Sequence, residues 1–345
     1  MTYQPYLWPT YKKLLLKSSR PILVGPFLGE AGIEALYWLS FIENLKQAGI
    51  KPERLIPIGR GGSACWYGTP TGVEIYAMRT PQQVRVESTV RRMKTGMMKQ
   101  LAWTPFDRAI VTDAAQSLGL KKYLTLHPSW MFQTLSPYWA GMRGMDWLHG
   151  RCTYAFLPPP PLPAGVQLPP EFVAVKFYFR STFEYKHDAL QLAKTTVKKL
   201  AETIPVVILN TGIHSDDHRD LQFKAHPHIT VLKDLMPLTP QNTLWAQSAV
   251  LARAQGFVGT YGGLAQVAQR FKKPAVTFFT SWGGTLMQHK HLSDAIALRT
   301  GVPFLVQNVK ELPLLATVLP MIQSQQPLTT VTTNRTPLAE GEPVA

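Results

Sequence analysis

Short apolar runs alternate with longer amphipathic stretches along almost the whole chain. In the first half, residues 21–27 read as a buried strand. The glycine-bearing turn 28–32 follows, then a helix to about residue 48 with Ile33, Leu36, Tyr37, Ser40 and Phe41 on one face. Strands are expected near 55–58 and 73–78, a basic helix over 82–103, a strand and helix within 108–118, and a strand at 123–126. The second half repeats the alternation. Its strands fall at 172–178, 206–210, 229–232, 256–259, 275–279 and 304–306, and its helices at 187–203, 243–254, 263–271, 289–300 and 309–322. Strands alternating with helices of this length predict βαβ units and parallel sheets.

Between the halves lie Pro158, Pro159, Pro160, Pro161 and Pro163, with Pro169 and Pro170 after them. Consecutive prolines favour extended polyproline II and read as a semi-rigid connector. The expected organisation is two Rossmann-like α/β domains facing a central cleft. The first covers 1–157, the linker 158–170 and the second domain 171–322, with a loose tail over 323–345.

Length and composition agree with this. The chain has 345 residues, 45% hydrophobic and 17% charged, enough apolar surface for two cores. Two cysteines exclude a disulfide scaffold and a cysteine-rich zinc site. No apolar run approaches the roughly 20 residues of a membrane-spanning helix. The N-terminal leucines, interrupted by Lys12, Lys13 and Lys17, do not read as a signal peptide. A cytoplasmic setting is the expectation. The net charge of +15 is uneven, with 19 Lys/Arg against 9 acids in residues 1–157. Such a field favours anionic partners without choosing among them.

The motif richest in chemistry runs from Gly256 to Ala268. A short apolar strand ends at Thr260, Tyr261, Gly262 and Gly263 and opens directly into a helix. Glycines admit a ligand close to the backbone, and free amides at a helix start present partial positive charge, a seat for a diphosphate. A plain tight strand-to-helix turn is the alternative.

This turn, followed by Lys273, Pro274, Ala275 and Val276, resembles the C-terminal half of GT-B glycosyltransferases. The resemblance implies that Thr260, Gly262 and Gly263 form a donor loop. It likewise implies that Asn242 and Gln247 contact the donor, and that Lys176 and Arg180 neutralise the diphosphate in place of a metal. Solvated charges flanking residues 177–179 are the alternative for the last two. Trp282, after the strand at 275–279, would stack on a base or sugar. Retaining members carry two glutamates seven residues apart near the donor loop. Residues 241–290 contain none, which favours inversion.

Inversion needs a base to take the acceptor proton. Glu30, in the first βα turn, is the first candidate, with a helix-dipole role as the alternative. His127, held in a loop by Pro128, is the second; an ordinary loop histidine is the alternative. Arg60, in the turn Arg60, Gly61, Gly62 and Ser63, is expected to contact an acceptor or a phosphate.

The expected function is transfer from a nucleotide sugar to a glycan or lipid-linked acceptor, inverting, with no metal or other cofactor. Six cations against Glu87 between Arg79 and Lys99 put Arg85, Arg92 and Lys99 on one stripe. Together with the N-terminal lysines they suggest an anionic acceptor or peripheral contact with an anionic membrane, at its inner face. A nucleotide-sugar epimerase of the same fold is the alternative enzyme. A basic nucleic-acid-binding protein is the lower-ranked alternative, since no recognition motif gives the charge specific meaning.

Overall fold

The computed structural model describes residues 7–95, 100–214, 218–223, 226–281 and 286–311. The alternation resolves into two parallel sheets, as expected. The first contains β1 (Ile22–Val24), β2 (Leu55–Gly59), β3 (Val73–Glu74) and β4 (Leu124–Leu126), in the order β3-β2-β1-β4. Ile22 lies beside Leu55 on one side and Leu124 on the other. The later strands are β5 (Val173–Lys176), β6 (Tyr178–Phe179), β7 (Val206–Ile208), β8 (Arg219–Asp220), β9 (Ile229–Val231), β10 (Gly256–Thr260), β11 (Ala275–Phe279) and β12 (Phe304–Asn308). Six of them form a parallel sheet in the order β12-β11-β10-β5-β7-β9, and β6 pairs antiparallel with β8. Counted within that sheet the order is 3-2-1-4-5-6, the doubly wound pattern, with its switch point between β5 and β10.

The reason these runs become central strands is their largely apolar character. Every residue of β1, β2, β5, β7, β10 and β11 is buried, as parallel sheets covered on both faces require. The outer face of the first sheet packs Leu23, Ile56 and Ile58 under Ile110, Val111 and Ala114 of the helix Pro105–Ser117. The outer face of the second packs Val173 and Val175 under Val197 and Leu200 of the helix His187–Ala201. The inner faces share one cluster. Trp38, Phe41 and Phe132 from the first half join Phe257, Leu264, Val267 and Phe279 from the second.

Two helices make that junction. The helix after β1 runs over 31–47, with a π segment at Glu34–Trp38 between α-helical turns Ala31–Ile33 and Leu39–Gln47. The helix Gly263–Arg270 follows β10. They meet at Gly32 and Gly263, where a side chain added at 263 would press on Ala31 Cβ and the Gly32 amide at 3.1 Å. At the far end Arg270, 1% exposed, reaches into the first half. Its Nε donates to Ala35 O at 2.8 Å and its Nη2 to Ser40 Oγ at 2.7 Å. Its Nη1 donates to Ala155 O, and the guanidinium lies 4.2 Å from the Tyr154 ring centre.

The proline segment is strapped down rather than free. Arg253 Nη1 donates to Pro160 O at 2.8 Å, Leu157 N donates to Arg270 O at 2.8 Å, and Leu162, Val166 and Leu168 pack on the shared core. Several local expectations change. The basic helix is Pro81–Thr95. A separate helix begins at Pro105, where Thr104 and Asp107 form a capping box with Pro105 at the first helical position. That cap makes 105–117 one helix, with no strand in it. The strand expected over 73–78 is two residues long and turns into a 3-10 segment, Ile75–Ala77. Helices Trp8–Lys17, Ser129–Trp139 and Met145–His149 were not anticipated. The tail 323–345 and most of the helix expected at 309–322 lie outside the described residues. Among the described residues, no helix is long and apolar enough to cross a membrane.

Candidate functional site in the interdomain cleft

Carboxyl ends of parallel strands, at a switch point, are where open α/β sheets bind ligands. In the second sheet those ends are Lys176 of β5 and Thr260 of β10, one position off register with each other, since Lys176 pairs with Gly259. Thr260 Oγ1 donates to Tyr178 O at 3.0 Å and accepts from Tyr178 N at 3.1 Å. It is therefore a latch between β10 and the start of β6, and is buried. Lys176 is buried too; its Nζ donates to Asp220 Oδ2 at 2.6 Å and to Asn210 Oδ1 at 3.2 Å. Its charge is already matched by Asp220, which ties β5 to β8.

Arg180 is the cation that reaches the cleft. Its backbone is set by the turn in which Arg180 N donates to Phe183 O and Phe183 N to Arg180 O. Its Nη1 lies 3.4 Å from Glu30 Oε1 and 3.1 Å from His218 Nε2, and His218 stacks on Tyr178 at 4.1 Å. The Glu30 and Arg180 side chains are 63% and 26% exposed, so both are open to solvent. Glu30 stands just before the first turn of the helix 31–47 and its side chain makes no cap hydrogen bond there. It is free to face the other domain. Two residues singled out separately in the sequence thus meet between the two halves of the chain.

Arg60 joins them from β2. Its Nη2 donates to Gly29 O, in the turn that carries Glu30. The loop after it is held by Glu74, whose Oε1 and Oε2 accept from Gly61 N at 2.9 Å and Gly62 N at 2.8 Å. Gly61 and Gly62 adopt φ of 60° and 80°, the left-handed region that favours glycine. The conformation lets the loop lie against Thr243, Leu244 and Trp245 of the second domain, with Trp245 N donating to Gly61 O at 2.9 Å.

The other expected site residues are placed elsewhere. His127 is fully buried, stacked on Trp103 at 4.5 Å, with Nδ1 2.9 Å from Ser129 Oγ and Nε2 3.3 Å from Asp107 Oδ2. A base must touch the reacting hydroxyl, and this imidazole is closed off from solvent. Its work is structural. Asp107 gathers Arg91 Nη2 at 2.7 Å, Gln100 Nε2 at 3.2 Å and Thr104 N at 2.9 Å. Burial opposes its charge, but His127 and Arg91 together hold its carboxyl at about 2. Gln100 in turn donates to Pro26 O and accepts from Leu28 N, so this buried hub supports the first βα turn from below. Burial pushes the His127 imidazole below its ordinary value, with Asp107 pulling the other way.

Gln247 is buried and donates to Leu209 O at 2.8 Å. Asn242 shapes its own loop, donating to Pro237 O and accepting from Thr239 N. Gly262 and Gly263 open the helix as expected, but the space over them is filled. Tyr178 Oη lies where a side chain at 262 would project, and Ala31 and Gly32 cover 263. Gly262 makes room for Tyr178 within the second half, and Gly263 serves the close packing of the two halves. Trp282 lies outside the described residues. So does Lys99 of the basic stripe, while neighbouring Arg91 is buried against Asp107 and Glu87.

One buried acid went unremarked in the sequence. Glu34 is 0% exposed; its Oε1 accepts from Tyr67 Oη at 2.7 Å and Ser63 Oγ at 3.3 Å. Burial pushes its carboxyl up to about 7, against the pull of Arg60, Tyr67 and Ser63 and with a further push from Glu74. A glutamate interrupting the apolar run 33–38, one helical turn beyond Glu30, was the available signal. Among the described residues no group of three or more His, Cys, Asp or Glu side chains could hold a metal ion.

No protein-family model matches the chain, and no curated protein matches it in sequence. The solved structures to which it is similar include the following glycosyltransferases. Against the Escherichia coli heptosyltransferase WaaC with ADP, identity is 11% over 84% of this chain and 90% of the other, with a TM-score of 0.40. Against SnogD from Streptomyces nogalater the figures are 12%, 90%, 91% and 0.41. Against a family 9 glycosyl transferase from Veillonella parvula they are 9%, 85%, 87% and 0.42. Likenesses of this size assign neither a residue nor an activity to this chain, whose own topology is what defines its pair of Rossmann-like sheets.

Proposed function

We propose that the chain is a glycosyltransferase that moves a sugar from a nucleotide-sugar donor onto an acceptor hydroxyl, with inversion and without a metal. The observation that carries this reading is the meeting of Glu30, from the first βα turn of one half, with Arg180, from the turn after β6 in the other. An exposed carboxylate suits the base, taking the acceptor proton as oxygen attacks the anomeric carbon. A guanidinium offers paired donors to the departing diphosphate. Arg60 adds a second cation on the acceptor side. The absence of glutamate from 241–290 supports inversion, because no carboxylate there can serve as the second acid of a retaining site.

The test is a thermal-shift panel of ADP, UDP, GDP, CMP, dTDP and their sugars, followed by product analysis with and without EDTA. One nucleotide family is expected to raise the melting temperature, since a ligand held at 100 times its Kd adds about 2.7 kcal/mol. Arg180→Ala is expected to lose most of that shift, and transfer is expected to survive chelation. Conversion of the donor with no acceptor present would replace the transferase with an epimerase.

The acceptor in this reading is anionic or presented on an anionic membrane. Support comes from the N-terminal half, where Leu7 and, in the helix Trp8–Lys17 that follows it, Leu14, Lys13 and Lys17 are exposed and the helix Pro81–Thr95 exposes Val86, Arg92, Met93 and Lys94. Each surface cation near acidic lipid contributes about 1 kcal/mol. Sedimentation with vesicles of rising acidic-lipid content, at low and high salt, is expected to show binding that Lys13, Lys17 and Arg92 charge reversals remove. Binding unaffected by salt and by those changes would leave these cations as a solvated face.

A further inference from the structure

We propose that Glu34 is a positioning residue for the cleft, holding the Arg60 loop, and through Arg60 the Gly29 carbonyl, so that the turn bearing Glu30 keeps its place opposite Arg180. The proposal rests on the transferase reading in one respect, that Glu30 and Arg60 face the substrate. The network behind it is continuous. Ser63 Oγ donates to Glu34 Oε1 at 3.3 Å and accepts from Arg60 N at 3.3 Å. Arg60 Nη2 donates to Gly29 O. The next residue, Glu30, meets Arg180. Glu34 N donates to Glu30 O at 3.1 Å, which closes the circuit along the helix itself.

Three features separate this from an ordinary satisfied core glutamate. The first is unfilled bonding capacity, because Glu34 Oε2 and Arg60 Nε are both buried without a hydrogen-bond partner. A buried carboxylate with one unsatisfied oxygen costs free energy that a neutral side chain avoids. The second is the facing charge. Arg60 is the strongest influence drawing Glu34 towards its ionised form, and Glu74, Cys65 and Tyr67 are the other titratable groups around it. The third is the backbone, because Glu34 opens the π segment Glu34–Trp38. Such turns are uncommon and gather at functional sites.

Glu34→Gln keeps an oxygen to accept from Tyr67 and Ser63 but removes the charge. Tyr67→Phe removes a hydrogen bond and keeps the charge. At pH 8, hydrogen–deuterium exchange over residues 28–33 reads the turn directly and needs no substrate. Exchange there is expected to rise about tenfold in Glu34→Gln and in Arg60→Gln, and no further in the double variant. Tyr67→Phe is expected to lower the melting temperature while leaving that exchange within about twofold. With whichever nucleotide sugar the panel identifies, Glu34→Gln should lower kcat about tenfold or more with donor KM within about threefold. Wild-type exchange in Glu34→Gln, or effects of Glu34→Gln and Arg60→Gln that multiply, overturns the proposal and leaves the transferase reading standing. If no nucleotide sugar is turned over, the transferase reading fails, and the exchange result alone decides whether Glu34 holds the turn.

Discussion

At the scale of single residues, the two buried acids of the first domain respond to pH in opposite senses. The Glu34 carboxyl, ordinarily at 4.5, is pushed by burial to about 7. Its contribution to stability is fully present below about 4.5 and is lost as pH rises through 7. A shift of that size corresponds to about 3 kcal/mol. Chemical denaturation between pH 5 and 8 should therefore show stability declining with pH, and Glu34→Gln should flatten the decline. The Asp107 carboxyl, ordinarily at 3.8, is held near 2 by His127 and Arg91. Its contribution is present above about 3.8 and is lost as pH falls through 2, so Asp107→Asn should remove part of the acid sensitivity. His127 shows how far a local reading reaches. Its place after a strand and before Pro128 was visible, but complete burial against Trp103 and Asp107 was not, because both partners come from other elements.

At the scale of elements, the strand-to-helix turn at 260–263 illustrates how one pattern serves two ends. A glycine pair opening a helix suits a phosphate, and it also suits a second helix laid closely against it. Ala31 and Gly32 occupy the space over Gly263. Gly263→Val is therefore expected to cost about 1–3 kcal/mol by overpacking, read as a lower melting temperature in the absence of any nucleotide. A variant of wild-type stability that had lost nucleotide binding would return this turn to the donor site. Thr260, Gln247 and Lys176 belong to the same lesson. Lys176 and Thr260 end strands and Gln247 sits mid-helix, all where the resemblance implies a donor contact, and each is committed to Tyr178, Leu209 or Asp220.

At the scale of the whole molecule, the two sheets share one core and are riveted by Arg270. Burial depresses that guanidinium's pKa, and its hydrogen bonds to Ala35, Ser40 and Ala155 keep it satisfied. Unfolding is expected to be a single transition, with fluorescence and far-ultraviolet dichroism coincident, since neither half can expose its inner face alone. Arg270→Ala leaves three acceptors facing a hole and should cost about 3 kcal/mol or more, shifting both probes together. Two separated transitions would show that the proline segment joins independent domains.

The amino-acid sequence by itself determined the alternation of elements, and with it two parallel sheets. Apolar runs of three to five residues between amphipathic helices have few other ways to bury both faces. It also determined that Glu30 stands in the first βα turn and Arg180 just past a strand, where chemistry collects. Their meeting was decided by tertiary structure, as was the retirement of His127, Gln247 and Lys176 into the fabric. Sequence spacing places a residue on its own element, whereas burial and pairing depend on what a distant element brings against it. Glu30 and Arg180 are 150 residues apart, and Arg270 finds Ala35 across 235. Contacts at such separations arise only when both sheets are complete and their inner helices close on each other.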